Sequence, residues 1–255
     1  MSEPLGSRQP VRLAKRVVEL TRCSRSEAER YIEGGWVRVD GVIVELPQAM
    51  VGDEPVEIDP KATLEPLEPA TIIVHKAAGD DVSAASERLV PEARWAEDPS
   101  GIRLLRKHRA NLVPVMPLEA QASGLLAFTQ DPRAVRRLSQ DAERIEEEYV
   151  VEVSGPGTEL EGQGPALEER RQTIVARLCG PFDLDGRRAA PCKASWQSEA
   201  RLRFAGKAIA PGQLARMCAD VGLGVVSLKR IRVGRISLGK MPVGQWRYLT
   251  SQQRF

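Results

Sequence analysis

The segment Leu118-Glu119-Ala120-Gln121-Ala122-Ser123-Gly124-Leu125-Leu126 is the most informative part of this sequence. Its Ser-Gly pair and the apolar run that follows, as far as Phe128, predict a tight turn that leads into a buried β-strand. One carboxylate, Glu119, lies in the loop before this turn. On local pattern alone the turn is structural, so a function for Glu119 depends on the residues that the rest of the chain brings to it.

The composition predicts folded domains and leaves several functional classes open. The chain has 255 residues, of which 42% are hydrophobic, which is enough to bury a sizeable core in one large domain or in a small and a large one. Its 37 Lys and Arg residues against 35 Asp and Glu residues give a formal net charge of +2. Binding of nucleic acid must therefore depend on local basic patches.

The cysteines and histidines argue against a metal site. The four cysteines are widely separated and have no CxxC spacing, and the chain has only two histidines. We therefore expect no metal site. Scattered reduced thiols, the lack of a targeting pattern at Met1 and the lack of a long apolar run predict a cytoplasmic protein that does not enter a membrane.

Residues 10–58 have the pattern of a small module with two helices and a hairpin. An apolar repeat at helical spacing predicts the first helix, and Ser24 followed by Glu27 is a capping box that predicts the start of the second. Gly34-Gly35 predicts left-handed residues at the end of that helix. Asp40-Gly41, between two short apolar runs, predicts a type I′ hairpin.

This module resembles the S4 RNA-binding domain. The resemblance is carried by Arg12-Leu13-Ala14-Lys15-Arg16, Ser24-Arg25-Ser26-Glu27-Ala28, Ile32-Glu33-Gly34-Gly35 and Val37-Arg38-Val39-Asp40-Gly41. It implies that cations along the helix pair contact the phosphates of structured RNA, and these are Lys15, Arg16, Arg22, Arg25 and Arg30. The alternative is a solvated helix face, because glutamates are interleaved with these cations at helical spacing.

Residues 59–70 contain three prolines and predict a semi-rigid linker to a second domain over residues 71–250. Helices are predicted from Asp131-Pro132 and between Pro211 and Gly222. The Gly- and Glu-rich residues 155–172 indicate an exposed loop with room for a short helix. Strands are predicted at residues 72–74, 125–128, 149–153, 173–178, 200–204 and 225–228. Many strands with few helices indicate an α+β fold around a mixed sheet.

The second domain resembles the RNA pseudouridine synthases, in which Gly-Arg-Leu-Asp and a Ser/Thr-Gly-Leu-Leu sequence form the active-site loop. The C-terminal segments 225–238 and 242–249 resemble the branch of these enzymes that acts on ribosomal RNA. The resemblance implies that Glu119 occupies the position of the catalytic aspartate and that Tyr149 stacks on the target uracil. It also implies a reaction that needs no metal or organic cofactor.

The sequence departs from the family pattern around the expected active site. Glu119 occupies the position of the aspartate, and Pro117 occupies the position of the arginine before it. Glu147 replaces a basic residue that is common two places before the tyrosine. Ala215 stands where the related enzymes have the arginine expected to pair with the catalytic carboxylate. The next residue, Arg216, is rotated by about 100° around the helix and should point elsewhere. These losses together indicate a weakened site.

A second group of cations lies near the C-terminus. The residues Lys229, Arg230, Arg232 and Arg235 lie on a predicted strand and its continuation and form a basic stripe suited to phosphate contacts. A solvated edge strand protected by charge is the alternative.

The sequence therefore predicts an S4-type domain joined to a pseudouridine synthase domain, in a protein that acts as a monomer on structured RNA, expected to be ribosomal. Two functions remain open. The first is an isomerase that converts uridine to pseudouridine with Glu119 in place of aspartate. The second is a non-catalytic RNA-binding protein, acting in ribosome assembly, that has lost the chemistry. Family membership favours the first function, and the departures at the active site favour the second.

Overall fold

The computed structural model describes residues 9–158, 164–250 and 252–255, and the chain divides into two compact units. The first unit contains the residues up to Pro69 together with Arg103–Asn111, and the second contains Ala70–Ile102 and Leu112–Phe255. The predicted boundaries had treated residues 71–250 as continuous. The segment 103–111 instead packs on the first unit, where the Arg103 guanidinium lies 3.8 Å from the centre of the Trp36 ring.

The first unit has two helices and short strands. In chain order these are β1 (Val11–Arg12), α1 (Leu13–Thr21), α2 (Arg25–Glu33), β2 (Val37–Val39), β3 (Val42–Ile43), β4 (Met50–Val51) and β5 (Val56–Ile58). β2 pairs with both β3 and β5, and β1 pairs with β4. The helices and strands bury one small core, which includes Leu13, Val17, Ile32 and Val37.

Local signals in the sequence account for most of this unit. The capping box is present, because Glu27 N–H donates to the Ser24 side chain while Ser24 N–H donates to the Glu27 carboxylate. Asp40 and Gly41 have φ values of +50° and +76°, as a type I′ turn requires. The prediction for the end of α2 holds only for Gly35, with φ +67°, since the preceding Gly34 has φ −77°.

The second unit is built on a large sheet. Its elements in chain order are β6 (Thr71–Lys76), α3 (Val82–Glu87), β7 (Val113–Val115), β8 (Ser123–Thr129), α4 (Pro132–Gln140), β9 (Glu146–Ser154), α5 (Pro165–Leu178), β10 (Asp183–Leu184), β11 (Arg187–Arg188), β12 (Cys192–Ser198), β13 (Arg201–Lys207), α6 (Gln213–Asp220), β14 (Gly224–Val233), β15 (Ile236–Ser237) and β16 (Trp246–Tyr248).

The main sheet has the order β12-β13-β9-β14-β8-β6-β16, with β7 added to β8 and β15 added to β14. β14 and β8 run parallel, and the other neighbours are antiparallel. The predicted α+β fold with a mixed sheet is therefore confirmed. One hydrophobic cluster packs α5 and α6 against β9 and β13, and another includes Leu138 of α4 together with residues of β6 and β8.

The prediction of a strand at residues 173–178 is wrong, because these residues form the end of helix α5. The β-branched run from Thr173 to Val175 misled the prediction. In the structure Pro165 starts the helix, and Ile174 and Leu178, four residues apart, turn inward. The helix also takes up residues 165–172 of the segment 155–172, for which the sequence indicates an exposed loop with room for a short helix; residues 159–163 lie outside the described residues.

Gly124 sets the distance between β8 and β14. It has φ +113°, and a Cβ atom at this position would lie 2.2 Å from the Arg230 carbonyl oxygen, so only glycine fits. The close approach brings the loop before β8 next to the middle of β14. Among the described residues, no helix is long and apolar enough to cross a bilayer, and no group of His, Cys, Asp or Glu is arranged to hold a metal.

Candidate active site

The loop that carries Glu119 is fixed to the second unit by a buried lysine. Lys76 ends β6 with none of its surface exposed. Its Nζ donates to the carbonyls of Ala77 at 2.9 Å, Asp80 at 2.7 Å and Ala120 at 3.0 Å, which uses all three of its N–H groups. Burial lowers the pKa of Lys76, and the charge of Asp80 opposes the shift. Lys76 therefore holds the backbone directly after Glu119 in place.

Glu119 lies at the N-terminus of helix α6. Its side chain is half-buried, and Oε2 accepts a hydrogen bond of 3.2 Å from the backbone N–H of Gly212, the residue that precedes the helix. Free N–H groups and the helix dipole favour a negative charge there. The extra methylene of a glutamate extends the carboxylate towards this amide, so the helix terminus partly substitutes for a basic side chain.

Tyr149 is held by a buried ion pair. Its hydroxyl donates to Glu147 Oε2 at 2.8 Å, and Arg230 Nη1 donates to the same oxygen at 2.9 Å. Arg230, which is 2% exposed, also donates to the carbonyls of Leu125 at 2.9 Å and Met116 at 2.6 Å. Burial raises the pKa of the Tyr149 hydroxyl, so this hydroxyl stays protonated as a hydrogen-bond donor.

These groups line one open pocket with a volume of about 490 Å³. Glu119 and Tyr149 both contribute to its wall, together with Glu147, Arg230 and Leu214. The volume lies in the range of small-molecule sites and accommodates a nucleoside. The pocket therefore combines one aromatic ring with one carboxylate, Glu119, that forms no ion pair with any described residue, whereas its guanidinium, Arg230, is already paired.

No ion pair supports Glu119 within the portion of the chain that the structure describes. The residue after Ala215 does not supply one, because Arg216 Nη1 pairs with Asp185 Oδ1 at 2.6 Å on the surface. This confirms that Arg216 points away from the pocket. Ala215 itself carries no group that could pair with a carboxylate, so among the described residues the Gly212 amide is the hydrogen-bond donor to Glu119, and Lys76 attracts its charge at longer range.

The comparisons with known proteins show the family of the chain. The model of the RNA pseudouridylate synthase family matches residues 70–201, which is more than half of the chain, and the S4 domain model matches residues 11–54. The chain belongs to the RNA pseudouridylate synthase family. Its N-terminal unit is accordingly an S4 domain, as the sequence predicts, and the pocket with Glu119 lies in the unit that contains most of the synthase match.

Similar proteins cover almost the whole chain. The dual-specificity RNA pseudouridine synthase RluF of Escherichia coli (strain K12) is 27% identical over 246 residues, which are 95% of this chain and 77% of RluF. An uncharacterized RNA pseudouridine synthase of Aquifex aeolicus is 26% identical over 95% of this chain and 94% of its own length. A crystal structure of a pseudouridylate synthase shares the fold, with a TM-score of 0.56, 19% identity and coverage of 94% and 96% of the two chains.

The cations predicted on the S4 domain occupy different environments. Arg16 is half-buried and donates to the Gly52 carbonyl at 3.1 Å, so part of its guanidinium is used inside the domain. Arg25 pairs with Glu29 at 3.0 Å. The exposed ones are Lys15, Arg22, Arg25 and Arg30. Both the basic face and the interleaved glutamates that the sequence indicates are therefore present.

The prediction of an exposed basic stripe on β14 is wrong for Arg230, which is buried and paired with Glu147. Arg232 is also engaged, because its guanidinium pairs with Glu148 at 2.5 Å and with Glu146. Only Lys229, which is half-buried, and the exposed Arg235 remain of the four. Side chains alternate across a strand, so a run of cations on a central strand cannot all face solvent.

Sequence reasoning missed the roles of Lys76, Arg230 and Gly212. A signal existed for Arg230. Glu147 and Tyr149 are two residues apart on one strand, so their side chains share a face, and Arg230 shares a face with the buried Leu228 on a neighbouring strand. A cation was therefore predictable opposite a buried glutamate. Lys76 donates to the Ala120 carbonyl, and the Gly212 backbone N–H donates to the Glu119 carboxylate. Both bonds join segments that are distant in the chain through a backbone group, and no pattern in the sequence indicates them.

Proposed function

We propose that the protein is an RNA-binding pseudouridine synthase that uses Glu119 as its catalytic carboxylate and works slowly. One observation carries the proposal: the Glu119 carboxylate and the Tyr149 ring line the same open pocket. An enzyme that acts on a base must take the nucleotide out of its stack and hold it against a ring. The pocket is large enough for that nucleotide, and its carboxylate is not consumed by an ion pair among the described residues.

The reaction uses only the atoms of the substrate. In uridine isomerisation the bond between N1 of uracil and C1′ of ribose breaks, and a bond between C5 and C1′ forms. The proton lost from C5 is balanced by a proton gained at N1, so no co-substrate is consumed. Glu119 acts on the ribose, and Tyr149 holds the uracil while it turns. The hydrogen bond from Tyr149 to Glu147 fixes the position of the ring.

The low rate follows from the surroundings of Glu119. The carboxylate has the Gly212 amide as its hydrogen-bond donor but no guanidinium, since residue 215 is alanine. It is also one methylene longer than aspartate. A displacement of roughly 1 Å from the productive position costs on the order of a hundredfold in rate. We therefore expect turnover that is measurable but well below that of a site with aspartate and arginine.

The RNA partner is a structured RNA, and we propose ribosomal RNA, because the C-terminal segments resemble the branch that acts on it. The S4 domain contributes exposed cations to the RNA backbone, namely Lys15, Arg22, Arg25 and Arg30. Lys229 and Arg235 are available as further contacts in the second unit. We place this activity in the cytoplasm and in a monomer.

A second candidate function has one observation in its favour. Arg230 in the pocket is already paired with Glu147, so among the described residues no guanidinium holds the Glu119 carboxylate in a charged and oriented form. This arrangement suits a protein that binds RNA in ribosome assembly without chemistry. The two functions differ in turnover and agree in RNA binding, so one experiment separates them.

The experiment incubates the purified protein with its native ribosomal RNA and maps pseudouridine by chemical labelling. Glu119→Gln keeps the size of the side chain and removes its charge, and Glu143→Gln serves as the exposed control. The proposal predicts a slow accumulation of pseudouridine at defined positions that disappears in Glu119→Gln and persists in Glu143→Gln. RNA binding with no pseudouridine from the unaltered protein would instead establish the non-catalytic function.

A further inference from the structure

Helix α4 carries three arginines and no acidic residue between Pro132 and Gln140. Arg133 lies three residues before Arg136 and four before Arg137, so it is the neighbour of both on one side of the helix. All three are exposed. The opposite face bears Leu138, which is 2% exposed and packs in the core beside β6 and β8. The helix therefore presents a purely cationic face to solvent.

These arginines lack the acidic partners that other arginines of this unit have. Arg136 Nε donates to the neutral side chain of Gln140 at 3.1 Å. In the described parts of the chain, no carboxylate lies within ion-pair distance of Arg133 or Arg137. Arg144, shortly after the helix, approaches Asp141 only to 3.9 Å, and the two side chains are 85% and 51% exposed. Exposed ion pairs of this length contribute little to stability, so Asp141 offsets little of the positive charge of these arginines.

The cationic face adjoins the pocket. Leu138 and Ser139 of α4, and Ala142 just after it, line the same pocket as Glu119 and Tyr149. On the helix, Ser139 is about 60° from Arg136, so the arginine face begins where the pocket wall ends. A polynucleotide that inserts one base into the pocket must carry the neighbouring phosphates across this rim.

We propose that Arg133, Arg136 and Arg137, with Arg144, form a phosphate-binding surface for the RNA strand next to the inserted nucleotide. The proposal rests on the proposed function, because it takes RNA as the occupant of the pocket. Guanidinium groups suit this role, since each presents several N–H donors that match phosphate oxygens. Such contacts position the strand without reading its sequence. They also offset the negative charge that Glu119 adds to the pocket.

The test compares two double variants that each remove two positive charges from exposed sites. Arg133→Gln with Arg137→Gln changes the proposed surface. Lys193→Gln with Arg201→Gln is the control, on β12 and β13 at the far edge of the sheet. These strands are three and four places from β8, the main-sheet strand on which α4 packs, which is roughly 14–19 Å across the sheet. Circular dichroism and thermal unfolding verify that both variants fold.

The probe is a labelled stem–loop RNA with uridines in its loop, and its affinity is measured over a series of salt concentrations. Each lost phosphate contact lowers the slope of log affinity against log salt by about 1, so the α4 variant should lose about 2 and bind on the order of a hundredfold more weakly near 0.1 M salt. The control should match the unaltered protein. Equal losses in both variants, or none in the α4 variant, would overturn the proposal.

The outcome is independent of catalysis. The salt slope is measured from binding alone, so it does not depend on turnover. A protein that forms no pseudouridine but still loses about 2 units of slope in the α4 variant refutes the proposed reaction and supports the phosphate surface. A protein that forms pseudouridine with no change of slope in the α4 variant refutes the surface and supports the reaction.

Discussion

The framework of the pocket and the surroundings of its carboxylate differ in how well their charges are supported. In the framework, Lys76 satisfies all three N–H groups with carbonyls, and Arg230 is matched by Glu147 and two carbonyls. In contrast, Glu119 has a single amide donor and no cationic partner among the described residues. The fold needs every buried charge to be paired or hydrogen-bonded, whereas the rate of a reaction can fall without loss of the fold. The scaffold is therefore well supported, whereas the carboxylate that we propose as the reacting group is not.

The largest loss of stability should come from breaking the buried ion pair between Arg230 and Glu147. Arg230→Met leaves the buried Glu147 without its partner and removes the donor to the Met116 carbonyl. Removal of one member of a buried pair typically costs about 3–5 kcal/mol in the free energy of unfolding. Denaturation in urea measures this loss, and Arg25→Met, at the exposed pair with Glu29, is the control that should leave the midpoint unchanged. Equal midpoints for the two variants would contradict the distinction between framework and surface.

A smaller effect should appear with pH at His75. The ring is 2% exposed, Nδ1 lies 2.6 Å from the Met241 carbonyl, and Nε2 has no partner among the described residues. Burial lowers the pKa of His75, and the positive charge of Lys229 adds to the shift while the Met241 carbonyl opposes it. A depressed pKa means that the unfolded state takes up the proton first, so the stability from the neutral ring is present above the ordinary pKa of 6.5 and is lost as pH falls below it.

His75→Asn removes this titration, and the slope of unfolding free energy against pH below 6.5 should then decrease. One group contributes at most about 1.4 kcal/mol for each unit of pH. His108 is also buried with a lowered pKa and provides a residual slope in the variant. If the slope of unfolding free energy against pH is the same in His75→Asn as in the unaltered protein, His75 is protonated in the folded protein. The conclusion that burial keeps the ring neutral would then be wrong.

Much of the fold was predictable because local signals determine it. The capping box at Ser24, the Asp40-Gly41 turn and the apolar run after Gly124 each specify a helix start, a turn or a strand. The sequence failed where tertiary contacts override local preference. The run from Thr173 favours a strand by composition, but its spacing of apolar residues and Pro165 make it a helix. Arg103–Asn111 leaves the second unit because of contacts with Trp36 and Glu33, which no local pattern reveals.

The site was predictable in its residue identities and not in its electrostatics. Glu119 and Tyr149 were found from the order of the motifs, and the structure brings both to one pocket. The burial of Arg230 and the amide of Gly212 depend on neighbours about 80 to 110 residues away in the chain. The cations that face solvent next to the pocket lie on α4, where helix periodicity alone could have indicated them.

The most direct test of the account is the single-turnover rate of pseudouridine formation in four proteins: the unaltered chain, Glu119→Asp, Ala215→Arg and the double variant. The account predicts that Glu119→Asp alone gains nothing, because the shorter side chain loses the Gly212 amide and still has no guanidinium. The double variant should be faster than the unaltered protein by on the order of a hundredfold. Full activity in Glu119→Asp alone, or no gain in the double variant, would contradict the claim that lost charge support limits the reaction.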